Sequence, residues 1–127
     1  MTKRTVTAVL ERTAQLIQRS NQWTTHNYET TTFDGQGKTR TCRCLAGAVL
    51  AAAGLRPSHD DLESTKLTSR VRASLLKTLR ADPEAFGVTD LGSDAITGVE
   101  AFNDSGVGHR DILRLVNATI DRIESRA

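Results

Sequence analysis

Ten consecutive residues near the middle of the chain carry no polar side chain, and they read Cys44-Leu-Ala-Gly-Ala-Val-Leu-Ala-Ala-Ala53. Gly54 follows them directly and Pro57 comes shortly after, the order in which glycine and proline end a helix. A helix that is apolar all round has no face for water, and small residues such as Gly47 and Ala48 let neighbouring helices approach closely. We therefore expect residues 44–53 to form a buried central helix.

Four other segments have the spacing of helices that bury one face. Apolar residues recur with helical periodicity over residues 5–19, 69–80, 93–102 and 109–125. The last segment also has Gly108 in the N-cap position and Asp111 in its first turn. The segment Ser58-His-Asp-Asp61 is typical of a further helical start. The predicted fold class is mainly α, with about five helices packed around the central apolar helix.

Residues 28–43 interrupt the helical pattern. Tyr28-Glu-Thr-Thr-Thr-Phe33 is rich in strand-forming residues, and the glycine-containing turn Asp34-Gly-Gln-Gly37 separates it from Lys38-Thr-Arg-Thr-Cys-Arg43. This order predicts one short β-hairpin over about residues 28–43. Because two isolated strands are only marginally stable in water, we expect the hairpin to lie on the helices.

The size and charge of the chain limit the possible functions. A length of 127 residues suits a single domain over residues 1–127, and a net charge of +2 does not by itself indicate nucleic-acid binding. The charge is unevenly distributed: residues 1–82 hold thirteen Lys and Arg against seven Asp and Glu, whereas residues 83–127 hold four against eight. With neither a signal peptide nor a long apolar run, we expect a cytoplasmic protein with reduced Cys42 and Cys44 and no membrane contact.

Three short motifs occur in a fixed order along the chain. Trp23 follows the first predicted helix, Cys44-Leu-Ala-Gly-Ala48 opens the apolar helix, and Phe102-Asn103-Asp104 ends a later helix. In these motifs the chain resembles a small uncharacterised family of actinobacterial and actinophage proteins, over about residues 5–125. Members of that family usually carry Trp where this chain has Phe102. The resemblance implies a shared fold and supplies no established activity.

Cys44 is the strongest candidate for chemistry. A thiol at a helix N-terminus, here beside Arg43, is expected to have a lowered pKa. His109 and the neighbouring Asp104 could act as base and orienting group, so a cysteine-dependent hydrolase or transferase is one alternative. The other interpretation is that Cys44 is a buried packing residue, as cysteines often are.

Residue types bear on two other kinds of binding site, one for a metal ion and one for nucleic acid. Cys42-x-Cys44 lacks the spacing of a zinc site, so we expect no metal and no cofactor. Basic residues on or near one predicted helix could contact phosphates, which makes a basic nucleic-acid-binding module the second alternative; they are Lys66, Arg70, Arg72, Lys77 and Arg80. A solvated helix face would have the same composition.

The remaining motif residues have structural explanations. Asn103 and Asp104 suit a link between two helices, and Trp23 is expected to pack over the hairpin with its N–H bonded to a carbonyl. Because no complete catalytic set is evident, the preferred hypothesis is a non-enzymatic small binding or accessory protein that acts through a protein partner. No motif indicates the identity of that partner, a substrate or an oligomeric state.

Overall fold

Five α-helices and one antiparallel hairpin make up the computed structural model, which describes residues 3–55, 66–90 and 92–126. The elements are α1 (Lys3–Leu16), β1 (Glu29–Phe33), β2 (Thr39–Arg43), α2 (Leu45–Ala52), α3 (Lys66–Ala81), α4 (Val99–Asn103) and α5 (His109–Ser125). The prediction of a mainly α fold with one short hairpin is confirmed. The helical start predicted at residues 58–61 lies outside the described residues.

Helix α2 occupies the centre of the core. Its residues from Leu45 to Leu50 are all buried, and the helix packs against α1, α3 and α4. It begins at Cys44, which has extended backbone angles, and it ends before Gly54, which adopts a positive φ of 82°. A glycine reaches this left-handed geometry without the penalty of a side chain.

The longer helices α1, α3 and α5 each bury one stripe against this centre. The buried apolar residues of these stripes are Val6, Val9 and Leu10 of α1, Val71, Leu75 and Leu79 of α3, and Ile112, Leu115, Val116 and Ile120 of α5. Helix α5 begins after Gly108, whose N–H donates to Oδ2 of Asp111 (3.3 Å). This start is the one that the sequence predicts.

The segment predicted as one helix over residues 93–102 is divided in two. Ser93 caps a 3-10 turn at Asp94–Thr97, where its Oγ accepts from the N–H of Ala95 (3.1 Å), and α4 starts only after Gly98. Gly98 has extended backbone angles, so the hydrogen-bonded ladder of a single helix cannot pass through it. The division leaves α4 as a short helix that ends on Asn103.

The hairpin pairs as the sequence predicts but packs differently. Glu29 lies opposite Arg43 and Phe33 opposite Thr39, while β2 is tied to the preceding segment by the N–H of Thr24 donating to the carbonyl of Arg43 (3.1 Å). Cys42 is buried at the base, but most other strand residues are exposed or half-buried. The expectation that the hairpin lies on the helices holds for its base and not for its distal part, because the threonine-rich strands have no apolar face to bury.

Within the described ranges, no helix combines the length and the apolar character that a membrane crossing requires.

Candidate functional site

The side chain of Asn103 joins three distant segments of the chain. Its Oδ1 accepts from the indole Nε1 of Trp23 (2.7 Å) and from the backbone N–H of Leu45 (3.0 Å). Its Nδ2 donates to the carbonyl of Thr24 (3.1 Å). Asn103 is fully buried, so these bonds replace the water that its amide loses on folding. The indole N–H of Trp23 is thus bonded to a carbonyl oxygen, as predicted. That oxygen belongs to the side chain of Asn103 and not to the backbone.

Asp104 extends this network towards the surface. Its Oδ1 accepts from Nδ2 of Asn103 (3.0 Å) and from the backbone N–H of His26 (2.8 Å), and its Oδ2 lies 3.4 Å from Nδ1 of His26. His26 has a positive φ of 65°, a backbone geometry that is uncommon for non-glycine residues. The Asp104 carboxylate therefore fixes the tight bend that follows Trp23.

The other motif residues lie in the core or against the segment that leads into the hairpin. Phe102 and Ala48 are fully buried in the core. Gly47 faces the backbone of Tyr28 so closely that a Cβ atom would collide with the Tyr28 carbonyl. Residues that are far apart in the sequence thus meet where α2, α4 and the base of the hairpin come together.

The thiol of Cys44 lies inside this packed region. Cys44 is 4% exposed, and its Sγ accepts from the backbone N–H of Gly47 (3.3 Å) as the cap of α2. Burial raises the pKa of the Cys44 thiol to about 11, although the backbone N–H groups of Gly47 and Ala46 act in the opposite direction. The prediction of a lowered Cys44 pKa, based on its position at a helix N-terminus, is wrong. The loss of hydration on burial raises this pKa more than the backbone N–H groups of the helix N-terminus lower it.

The proposed base of Cys44 is engaged elsewhere. Nε2 of His109 donates to the carbonyl of Ile17 (2.6 Å), and its ring centroid lies 5.9 Å from that of Trp23. Among the hydrogen bonds of the described residues, none joins Cys44 to His109 or to Asp104. The hydrogen bonds that link a nucleophile, a base and an orienting group are therefore not formed among these three residues.

The predicted basic face is divided between two sides of α3. Nη2 of Arg72 donates to both carboxylate oxygens of Glu100 (2.9 and 3.1 Å), and Nε of Arg80 donates to the carbonyl of Ile96 (3.0 Å). Arg70 and Lys77 lie on the other side, where they line a pocket of about 420 Å³. Hence only two of these four cationic side chains remain together on one surface.

Two further features concern the described part of the chain as a whole. Phe33, at the end of β1, is 72% exposed. Among the described residues it is the large apolar side chain that is exposed to solvent. No group of three or more His, Cys, Asp or Glu side chains in the described ranges is placed to hold a metal ion.

The similarity to known proteins extends over almost the whole chain. The model of one protein family matches residues 1–122. The chain belongs to DUF6197, a family of unknown function. The predicted membership of an uncharacterised family is thereby confirmed. Neither a curated protein nor a solved structure matches this DUF6197 chain.

Sequence reasoning overlooked three residues of this DUF6197 chain that lie in exposed or charged sites. Arg122 and Arg126 of α5 join Arg70 and Lys77 at the pocket, although they belong to the half of the chain with excess acidic residues. Their spacing of four residues, on one side of a helix, was the available signal. The available signal for the exposure of Phe33 was the polar character of most other residues in both strands.

Proposed function

We propose that this protein is a non-enzymatic binding or accessory protein that acts through a protein partner, which it contacts with the distal part of its hairpin. The single observation that carries the proposal is the exposure of Phe33 at the end of a hairpin that rests on the helices only at its base. Exposed aromatic side chains are favoured anchors of protein interfaces.

The backbone of β1 supplies a second contribution. In the described residues β1 pairs with β2 on one side and with no strand on the other. The N–H of Asp34 donates to the carbonyl of Lys38 (2.9 Å), and bonded and non-bonded pairs alternate along an antiparallel ladder. The backbone groups of Thr31 and Phe33 therefore point away from β2, towards the outer edge.

This outer edge lacks the usual protection against pairing. Natural edge strands are often blocked by proline, lysine or a bulge, whereas β1 reads Glu29-Thr-Thr-Thr-Phe33. The proposed partner presents an unpaired strand edge and an apolar pocket for an aromatic ring. Addition of a strand supplies backbone hydrogen bonds, and Phe33 supplies buried apolar area.

The two alternative functions have less support. A cysteine hydrolase or transferase needs an ionised, accessible thiol, whereas Cys44 is buried with a raised pKa. A nucleic-acid-binding face on α3 would lose Arg72 and Arg80 to their contacts with Glu100 and Ile96.

We also propose that the protein works in the cytoplasm of actinobacterial cells, including cells infected by a phage that encodes it. The motifs around Trp23, Cys44 and Asn103 support this proposal.

Photo-crosslinking and affinity measurement together test the hairpin surface. A photoreactive phenylalanine analogue at position 33 captures the partner in a bacterial lysate, and the purified partner is then titrated against defined variants. Phe33→Ser is expected to weaken binding by about 30-fold, the effect of losing a hot-spot residue, while Phe33→Leu retains most of it.

The strand edge is tested by a second pair of variants. Thr31→Pro removes an outward N–H without touching the bonds to β2 and is expected to weaken binding about tenfold, whereas Thr31→Val is expected to bind like wild type. Equal affinity of all four variants for the purified partner, or failure of any captured protein to bind saturably, would contradict the proposal.

A further inference from the structure

A basic pocket lies between α3 and α5, away from the hairpin. Four cationic side chains line it: Arg70 and Lys77 from α3, and Arg122 and Arg126 from α5. No acidic side chain is among the described residues that line it. Its volume of about 420 Å³ is within the range of pockets that hold small molecules.

Arg122 is the residue that points most directly to a ligand. Its Nη1 atom is buried and has no hydrogen-bond partner among the described residues. A buried guanidinium N–H without a partner is costly, because it has lost water and gained nothing in exchange. An anionic group in the pocket would supply the missing acceptor.

The cations at the pocket come from two helices. Arg122 and Arg126 lie near the C-terminal end of α5, where the helix dipole favours positive charge. Lys77 lines the same pocket from α3. Lys77 and Arg122 repel one another, and an anion bound between them relieves that repulsion.

The rest of the lining is apolar or already satisfied. Val6 of α1, Ala73 of α3 and Ile123 of α5 contribute aliphatic surface. The hydroxyls of Thr78 and Thr119 donate to carbonyls of their own helices, at 3.1 Å to Ser74 and 2.8 Å to Leu115. The pocket thus offers cationic groups for an anionic head and hydrocarbon for a compact apolar body.

We infer that this pocket binds a small organic phosphate, a phosphomonoester carried on a compact apolar or aromatic group. The charge of a phosphomonoester is close to −2, which balances Lys77 and Arg122 better than the single charge of a carboxylate does. Arginine forks also match the oxygen geometry of phosphate. The inference rests on α3 and α5 and is independent of the proposed partner of the hairpin.

Titration with defined small molecules tests the ligand class. Phenyl phosphate, inorganic phosphate, benzoate and benzyl alcohol are added to ¹⁵N-labelled protein at low salt, and amide shifts are followed. Phenyl phosphate is expected to bind at least about tenfold more tightly than each of the others, with shifts confined to α1, α3 and α5, because only it combines a dianion with an apolar ring. Equal affinity for benzyl alcohol or for inorganic phosphate would contradict the inferred ligand.

A matched pair of arginine variants tests the pocket. Arg122→Gln is expected to weaken phenyl phosphate binding by about tenfold or more, since it removes a charge-assisted hydrogen bond. Arg110→Gln removes the same charge from an exposed position on the same helix, outside the pocket, and is expected to change the affinity by less than about twofold. Without ligand, Arg122→Gln should not lower the melting temperature, which separates loss of binding from loss of folding.

Nucleic acid is the competing occupant in the same assay. A short mixed-sequence DNA duplex is added in place of phenyl phosphate, and its affinity is measured at several salt concentrations. If DNA binds with a steep salt dependence and Arg110→Gln weakens it as much as Arg122→Gln, the surface is a general phosphate-contacting face and the small-ligand inference is wrong. Weak DNA binding together with pocket-specific phenyl phosphate binding supports it.

Discussion

The indole N–H of Trp23 donates to the side-chain oxygen of Asn103 at 2.7 Å, although eighty positions separate the two residues in the chain. The same oxygen accepts the backbone N–H of Leu45, the first residue of α2. One buried amide therefore links the segment after α1, the start of α2 and the end of α4. Trp23, the start of the helix that Cys44 opens, and Asn103 meet at this amide, where their contacts are structural.

A double-mutant cycle measures the strength of this link. Trp23→Phe, Asn103→Ala and the double variant are compared with wild type by urea unfolding. Asn103→Ala removes the partner of the Leu45 N–H, the Thr24 carbonyl and the indole N–H at once, so we expect it to cost about 3 kcal/mol. Trp23→Phe removes one of the two donors to Oδ1 of Asn103, and we expect it to cost about 1–2 kcal/mol. The double variant should be less destabilised than the sum by about 1–2 kcal/mol. Additivity within about 0.3 kcal/mol would show that the two side chains are not coupled.

The close approach of Gly47 to the backbone of Tyr28 leads to a second prediction. Gly47→Ala introduces a Cβ atom against a backbone carbonyl that cannot rotate away, so we expect a loss of about 1–3 kcal/mol or more in the free energy of unfolding. Gly47→Leu should be worse. Gly35→Ala is the matched control, because a Cβ at Gly35 meets nothing within 4 Å and should change stability by less than about 1 kcal/mol. A Gly47→Ala variant as stable as the control would contradict the packing of α2 on Tyr28.

The raised pKa of Cys44 predicts how stability changes in alkaline solution. The folded thiol has a pKa of about 11 instead of its ordinary value of 9.0. Between these values the unfolded chain loses the proton while the folded chain keeps it, so unfolding releases a proton and stability falls as the pH rises. Below pH 9 both states keep the proton, and this contribution does not vary. The total loss by pH 11 is about 2–3 kcal/mol.

Comparison with Cys44→Ser isolates that contribution. Serine retains a helix-capping oxygen that does not titrate in this range. Tyr28 titrates in both proteins, and the substitution removes only the contribution of the Cys44 thiolate to its raised pKa, for which burial is the largest cause. Urea unfolding of both proteins at pH 8, 9.5 and 10.5 should show wild type losing stability faster than the variant. Parallel pH profiles would mean that Cys44 is ionised as easily in the folded chain as in the unfolded one.

The helices and the hairpin could be predicted because their signals are local. An uninterrupted apolar run followed by Gly54 defines α2, and the glycine-containing turn before Lys38 defines the hairpin. Gly98 shows the limit of such reasoning: periodicity continues through it, but its backbone is extended and separates α4 from the preceding turn. Periodicity records which side chains face the core and not whether the backbone bonds are continuous.

The sites depend on contacts that no local pattern contains. Whether Cys44 ionises depends on how completely other elements cover it, and the helix N-terminus alone predicts the wrong direction. The basic pocket forms because α3 and α5 pack side by side, which brings Arg70 and Lys77 next to Arg122 and Arg126. Charge counted along the chain separates these residues into a basic and an acidic half, so the count hides the cluster.

The most direct test of the account is the reactivity of the Cys44 thiol in the folded protein. In a Cys42→Ser variant Cys44 is the sole thiol, and serine can still donate to the carbonyl of Asn21 as Cys42 does (3.0 Å). We predict that iodoacetamide labels this folded variant at neutral pH more slowly than a small model thiol, and that labelling accelerates to the rate of the model thiol in denaturant. Rapid labelling of the folded variant, faster than the model thiol, would contradict the assignment of Cys44 to packing and would favour a thiol-dependent enzyme.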